Sequence, residues 1–271
     1  MSIIYRPIDS PKDWKPLLAD PMHWRKGYSA MALAHCWQEA NGFPSSIQIV
    51  FEESGIDIFT DIEPIFAIPE YKVALPGGAR PSQNDIFVLA KGENHLISIT
   101  VEGKVSEDFD KPVSEWMVNA SSGKKKRLKY LCSRLGLSED EVLNIRYQLL
   151  HRTASAMIEA ERFNAQNALM LVHSFSPTNQ WFSDYVDFAS LYGIKAKLNS
   201  IHPAKKISGI NLYLGWVKGD EKYLSKEPTE EMIGIVTTKK CDRCGHHEVG
   251  ITTESGQYFP LKPGMKVEIY E

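Results

Sequence analysis

The sequence predicts an α/β fold in which helices flank a mixed sheet, followed by a small β appendage at the C-terminus. Three observations carry this prediction. The element types run in the order helix, strands, hairpin, helices, strand, helix, strand, which is typical of an α/β sandwich. The segment 168–175 has the length and apolar content of a buried strand, and 96–104 alternates apolar and polar residues as a strand with one core face does. The 271 residues, 43% of them apolar, suffice for a substantial core.

The first half of the chain predicts one helix and a set of strands. Ser29 is a candidate N-cap for a helix that ends near Asn41, just before Gly42. The segment 69–81 contains Pro-Gly-Gly-Ala-Arg-Pro and predicts a loop. Strand-type runs occur at 47–51, 57–59, 86–90 and 96–105. Because 91–95 is short and polar, the last two runs are expected to form a hairpin.

The second half predicts mainly helices. Gly136 ends one of them, and Ser138 with Glu141 forms a capping box that would begin the next. The predicted helices span 112–120, 124–135, 139–164 and 181–192. Two further strands are predicted at 168–175 and 210–217. The composition changes near Pro228, so we expect a domain at 1–225 and a small β appendage at 226–271.

Polar side chains concentrate at one end of the predicted hairpin. Along 96–104 apolar and polar residues alternate strictly, so Glu102 and Lys104 point to the same face of the strand. Asp85 begins the partner strand, and the hairpin gives it a route to Glu102. Two carboxylates from adjacent strands are suitable ligands for Mg²⁺ or Mn²⁺, and a nearby lysine can orient a water or neutralise a phosphate. The alternative is an exposed Glu–Lys pair beside an unrelated turn aspartate.

The motif Asn84-Asp85, followed by Val101-Glu102-Gly103-Lys104, resembles the signature of the PD-(D/E)XK (restriction-endonuclease-like) nuclease superfamily. The surrounding sequence, from residue 14 to about 215, resembles a family of uncharacterised bacterial proteins thought to share that fold. The resemblance implies a helix–strands–helix–strand core, with Asp85 and Glu102 as metal ligands and Lys104 as the catalytic lysine. It also implies a functional glutamine on a neighbouring helix, for which Gln148 is the candidate. Asn84 departs from the pattern, because proline often stands at that position.

Several polar residues are candidates for contacts with a nucleic-acid substrate. An arginine fork suits phosphate oxygens, and a basic cluster at the start of a helix suits a phosphate backbone. A solvated helix face and ordinary loop residues are the alternatives. The candidates are Gln83, Lys124, Lys125, Arg127, His151 and Arg152. Glu70 and Glu39 are secondary candidates for an additional acid, with a surface role as the alternative for both.

The appendage contains a CxxC motif. Cys241 and Cys244 bracket a tight bend, and His246 could add a third ligand to a structural zinc (Zn²⁺) site. A closed zinc site needs four ligands, and the sequence supplies no second CxxC. A knuckle that does not bind metal, a redox-active dithiol and a homodimer that completes the site across chains therefore stay open as alternatives.

The net charge of −3 and the sequence pI of about 6.3 exclude a strong overall basic field. No segment is long and apolar enough to cross a membrane, and the cysteines do not form a secreted disulfide pattern, so we expect a cytoplasmic protein. The favoured function is metal-dependent phosphodiester hydrolysis of nucleic acid, with DNA as the first expectation. The alternative is a non-catalytic nucleic-acid-binding or partner-binding protein on the same fold.

Overall fold

A computed structural model describes residues 5, 7–226, 234–240, 247–253 and 256–261. The chain divides into two compact units, Met1–Pro228 and Thr229–Glu271. Within the described residues, no helix combines the length and the apolar character needed to cross a bilayer.

The first unit alternates helices and strands in the sense that the sequence predicts. Its elements are α1 (Ser29–Glu39), α2 (Ser45–Glu53), β1 (Glu63–Val73), β2 (Ser82–Lys91), β3 (Leu96–Lys104), α3 (Val113–Trp116), α4 (Ser122–Leu135), α5 (Tyr147–Arg162), β4 (Asn167–Ser174), α6 (Phe182–Ser190), β5 (Ser200–Ile207) and β6 (Ile210–Lys218). Short 3₁₀ helices occur at Pro11–Leu17, Pro21–His23, Asp57–Phe59 and Glu221–Ser225.

The six strands form one mixed sheet in the order β1-β2-β3-β4-β6-β5. β1, β2 and β3 are antiparallel neighbours, β3, β4 and β6 run parallel, and β5 is antiparallel to β6. Helices α1 and α2 cover one face, where Met31, Ile47 and Ile99 belong to one buried cluster. Helices α4, α5 and α6 cover the other face, where Leu131 and Leu150 belong to the core. The predicted mixed α/β architecture is therefore confirmed.

The predicted alternation of β3 is also confirmed. Its apolar side chains, such as Ile99, join the core beneath α1 and α2. Its polar side chains face α5, where the hydroxyls of Ser98 and Thr100 donate to the backbone carbonyls of Ala156 (2.8 Å) and Arg152 (3.0 Å). This polar face is buried rather than open, because a helix lies along it.

Two short runs predicted as strands are helical. The run 47–51 lies inside α2, because Ile47, Val50 and Phe51 follow the i, i+3, i+4 spacing that buries one face of a helix. The run 57–59 forms a 3₁₀ helix that buries Phe59. Their β-branched and aromatic composition favoured a strand, but packing against the core decides the outcome.

Two edge strands are absent from the sequence prediction. β1 includes part of the predicted loop 69–81, since it continues to Val73 despite two prolines and a register shift between Pro64 and Phe66. β5, at the opposite edge, contains Pro203 and a register shift between Pro203 and Lys205. An edge strand tolerates proline because one side of its backbone needs no ladder partner.

The helix predicted from 139 begins later, at Tyr147. The capping box forms, since the Ser138 hydroxyl donates to Glu141 at 2.7 Å, but it opens only a series of turns. The amides of Val113 and Ser114 donate to backbone carbonyls of this segment, at Ile145 and Leu143. These bonds tie the segment to α3 instead of continuing it as a helix.

The second unit is a three-stranded antiparallel sheet of β7 (Gly234–Lys240), β8 (His247–Thr253) and β9 (Tyr258–Pro260), in that order. The predicted small β appendage is thus confirmed. Cys241, Cys244 and His246, the predicted zinc ligands, lie outside the described residues.

Candidate functional site

The site lies at a fork in the sheet where β2 and β3 separate. The last pair in register between these strands is Ile86 with Val101. Beyond it, β2 remains paired with β1 and β3 remains paired with β4. Asp85 and Glu102 are the first residues of the two diverging arms, so their carboxyl groups enter the same gap.

Asp85 bridges the fork. Its Oδ2 accepts a hydrogen bond of 2.7 Å from the backbone N–H of Gly103. A Cβ atom at Gly103 would lie 3.2 Å from Leu33 Cδ2 and 3.5 Å from Ser29 Cβ, both on α1. Glycine at position 103 therefore allows α1 to approach the strand closely at the point where the Gly103 N–H donates to Asp85.

Glu102 is buried and ion-paired through both carboxylate oxygens. Its Oε1 lies 2.8 Å from Lys104 Nζ, and its Oε2 accepts a short hydrogen bond from Arg152 Nε. All three side chains are less than 10% exposed. The predicted neighbours Glu102 and Lys104 do meet, but a helical arginine joins them.

Lys104 is held from three sides. Besides Glu102, its Nζ donates to Gln148 Oε1 at 2.9 Å and lies 4.6 Å from the centroid of the Phe109 ring. Gln148 comes from the first turn of α5, which crosses the polar face of β3. The structure thus brings together Asp85, Glu102, Lys104 and Gln148, the four side chains predicted to carry the chemistry.

Arg152 spans the two carboxylates. Its Nε contacts Glu102, its Nη2 lies 4.0 Å from Asp85 Oδ1, and its Nη1 donates to Ser82 Oγ at 3.3 Å. A phosphate contact was the expectation for Arg152. Here the guanidinium occupies the space between the two acids.

His151 is neutral in this environment. Burial, with the nearby Arg152 guanidinium second, lowers its pKa well below the ordinary value. Arg152 Nη1 lies 3.4 Å from His151 Nδ1 and can only donate, so Nδ1 is an acceptor and the Ser82 hydroxyl donates to it at 2.8 Å. Ser82 links His151 to Arg152 through these contacts.

Glu70 is a third acid at the site. It adopts a left-handed backbone conformation, with φ of 52°, and its Oε2 accepts a hydrogen bond of 2.6 Å from Gln83 Nε2. Gln83 also donates to the Leu17 carbonyl at 3.3 Å, so its predicted substrate contact would have to replace these bonds. Burial raises the pKa of Glu70 to about 7. Glu39, the other secondary acid, is instead paired with Lys226.

The electrostatics divide the acids into two kinds. Burial, followed by repulsion from Glu102 and Glu70, raises the pKa of Asp85 well above its ordinary value. Burial also penalises the charge of Glu102, but Arg152 and Lys104 outweigh this effect and lower its pKa. Burial therefore favours the neutral form of Asp85, whereas the two cations beside Glu102 favour its charged form.

The basic start of α4 serves several purposes. Arg127 is buried and donates to the carbonyls of Pro76 (2.9 Å) and Gly78 (3.1 Å) in the loop 74–81. Lys124 donates to the Trp116 carbonyl at 2.7 Å and lies over the Trp116 ring. Lys125 is exposed. Of these three predicted substrate contacts, Lys125 presents its charge to solvent, while Arg127 anchors a loop.

The contact between that loop and α4 predicts a large steric effect at Gly77. Gly77 has φ of 84°, and a Cβ there would lie 2.2 Å from the Gly123 carbonyl oxygen. We expect Gly77→Ala to lower the free energy of unfolding by about 2–3 kcal/mol, measured by urea denaturation. Gly27→Ala is the matched control, since Gly27 has φ of 80° and open space around it. Equal losses in both variants would contradict a steric cause.

The donor set fits a divalent cation in part. Mg²⁺ commonly takes one or two carboxylates and completes its shell with waters and substrate phosphate, which Asp85 and Glu102 could support. No group of three or more His, Cys, Asp or Glu side chains arranged to hold a metal is found in the part of the chain that the structure describes. A Mg²⁺ or Mn²⁺ ion shared with substrate is compatible with these residues, provided that Glu102 releases a cationic partner.

The fold and site together define a mixed α/β protein with a buried carboxylate–lysine–arginine cluster at a strand fork. The chain belongs to the family described as a domain of unknown function (DUF6946), whose family model matches residues 7–221. No curated protein and no solved structure gives a significant match to the chain. The matched region contains the whole fork and its charged cluster.

Proposed function

We propose that this protein is a metal-dependent phosphodiester hydrolase of the PD-(D/E)XK type that acts on nucleic acid, with DNA as the expected substrate. The observation that carries the proposal is the convergence of Asp85, Glu102 and Lys104 at the fork, with Gln148 beside them. An acid from each of two diverging strands and a lysine two residues from one acid are the set that this chemistry requires.

Each residue has a distinct task in the proposed reaction. Asp85 and Glu102 would hold Mg²⁺ or Mn²⁺, which when bound supplies an activated water and polarises the phosphodiester. Lys104 places an ammonium group where charge develops on the phosphate, and Gln148 and Phe109 fix its position. Two of the three ammonium protons of Lys104 go to Glu102 and Gln148, and we assign the third to a water or a phosphate oxygen.

The surface of α4 and the neighbouring loop would contact the nucleic acid backbone. Lys125, Lys126 and Lys129 are exposed on α4, and Arg80 is exposed in the loop that Arg127 anchors. Such contacts would make binding depend on salt. A cytoplasmic location is part of the proposal, because Cys36 and Cys132 are buried free thiols, as in a reducing compartment.

A cleavage assay tests the proposal. The full chain would be incubated with supercoiled plasmid, single-stranded DNA and RNA, each with Mg²⁺, Mn²⁺ or EDTA. We expect metal-dependent cleavage that Asp85→Asn and Lys104→Met each reduce by at least about 100-fold, because each variant removes a charge used in the transition state. Glu115→Gln and Lys111→Met are matched controls, since these residues form an exposed ion pair.

Cleavage that survives in Asp85→Asn at the wild-type rate would refute the assignment. Activity in the presence of EDTA would do the same.

A non-catalytic nucleic-acid-binding protein is the second candidate. The specific observation in its favour is that Arg152 and Lys104 already neutralise Glu102. The same substrates distinguish the two functions, because this candidate retains DNA in a gel-shift experiment without cutting it in any metal.

A further inference from the structure

We infer that Arg152 acts as a tethered cation that occupies the metal position between Asp85 and Glu102, so that a divalent ion binds only after the Arg152 side chain has moved. The inference rests on the proposed function, because it concerns how the same site acquires its metal. It assigns Arg152 a role that differs from a simple contact with substrate phosphate.

The position of the guanidinium is the first support. The Arg152 guanidinium lies between the two acids that would hold the metal, with Nε on Glu102 Oε2 and Nη2 at 4.0 Å from Asp85 Oδ1. The remaining oxygens have other partners, since Glu102 Oε1 accepts from Lys104 and Asp85 Oδ2 accepts from Gly103. A metal that coordinates Glu102 Oε2 therefore competes with the guanidinium for that oxygen.

Arg152 is the cation that can yield. Lys104 lies on the same strand as Glu102 and is also held by Gln148 and the Phe109 ring. Arg152 reaches the fork from α5 through a long side chain whose Nη1 donates to Ser82 Oγ at 3.3 Å, and Glu70 also attracts its charge. A guanidinium that moves away from Glu102 therefore still has a favourable interaction.

Because Arg152 pairs with Glu102, the metal affinity of the site is lower than Asp85 and Glu102 alone would give. Glu102 can be paired with Arg152 or coordinate a metal through Oε2, and the free energy of the ion pair opposes metal binding. Arginine cannot lose its proton in a protein, so the opposition persists at any ordinary pH. Removing the guanidinium should raise the affinity.

Metal binding itself provides the test. Binding of Mn²⁺ to the full chain would be measured by electron paramagnetic resonance of the free ion and by calorimetry, without nucleic acid. We expect Arg152→Gln to lower the Kd for Mn²⁺ by about tenfold or more relative to wild type, as for a coupling of ordinary size. The gain should disappear in Asp85→Asn/Arg152→Gln. Arg146→Gln is the matched control, because Arg146 pairs with Asp184 instead.

A second variant protects the test against misfolding. Arg152→Lys keeps the buried charge but cannot span both carboxylates, so we expect a decrease in Kd of about two- to fivefold. Far-UV circular dichroism would confirm that each variant is folded. An unchanged Kd in folded Arg152→Gln, or in Arg152→Lys if the glutamine variant does not fold, overturns the inference.

The outcome for the proposed function is separate. Metal-dependent cleavage with an unchanged Kd in folded Arg152→Gln would leave the nuclease proposal standing and remove the role of Arg152. The expected decrease in Kd without cleavage of any substrate would support the role of Arg152 and refute the nuclease.

Discussion

Replacing Glu102 with alanine is expected to destabilise the protein by about 3–5 kcal/mol. Glu102 is the shared partner of Arg152 and Lys104, and all three side chains are buried. Without the carboxylate, two buried cations face each other with no common counter-ion. Urea denaturation followed by circular dichroism would give the change in the free energy of unfolding.

Glu39→Ala is the control for this prediction. It breaks the ion pair between Glu39 and Lys226, whose side chains are 43% and 34% exposed, respectively. Exposed pairs contribute up to about 1 kcal/mol. If Glu102→Ala costs no more than Glu39→Ala, the buried cluster does not hold the fork together.

His173 is expected to make the protein less stable as the pH falls. Burial lowers the pKa of His173 to about 3, while the unfolded chain has an ordinary histidine pKa of about 6.5. Between these values the unfolded state binds a proton that the folded state does not, so stability is lost as the pH falls from about 6.5 towards about 3. The slope is about 1.4 kcal/mol per pH unit for this one group.

The comparison with His173→Gln isolates this effect from Asp85 and Glu70, whose raised pKa values act in the opposite direction. Between pH 7 and pH 5 we expect wild type to lose about 2 kcal/mol more than the variant. The exposed His23→Gln should follow wild type. Parallel curves for wild type and His173→Gln would show that the pKa of His173 does not change on folding.

The sequence was most informative where one periodicity dominates. Strict alternation along 96–104 predicted both the strand β3 and the common face of Glu102 and Lys104. The hairpin followed from the short polar connection at 91–95, and the glycine at Gly136 ended α4 as predicted, with φ of 62°. Each of these features is determined by residues that lie close together in the sequence, so a single segment suffices to predict it.

The sequence was least informative where distant segments meet. Arg152 lies 50 positions from Glu102, and nothing in its helical stripe distinguishes a buried ion pair from a solvated face. The amide and the hydroxyl of Ser29 both donate to the carboxylate of Glu107, 78 positions away, so Ser29 does not act as the predicted N-cap. Prolines in β1 concealed an edge strand, because the rules for central strands do not apply at an edge.

The fork gives Asp85 a structural duty in addition to its chemistry. Where β2 leaves β3, the amide of Gly103 is satisfied by the Asp85 side chain at 2.7 Å. A buried amide without an acceptor destabilises the fold. A side chain without oxygen at position 85 would therefore leave the Gly103 N–H without its acceptor and also remove a metal ligand. Asparagine keeps an acceptor there, whereas alanine does not. Loss of function in Asp85→Ala would therefore report architecture and catalysis together, and only the asparagine variant can separate them.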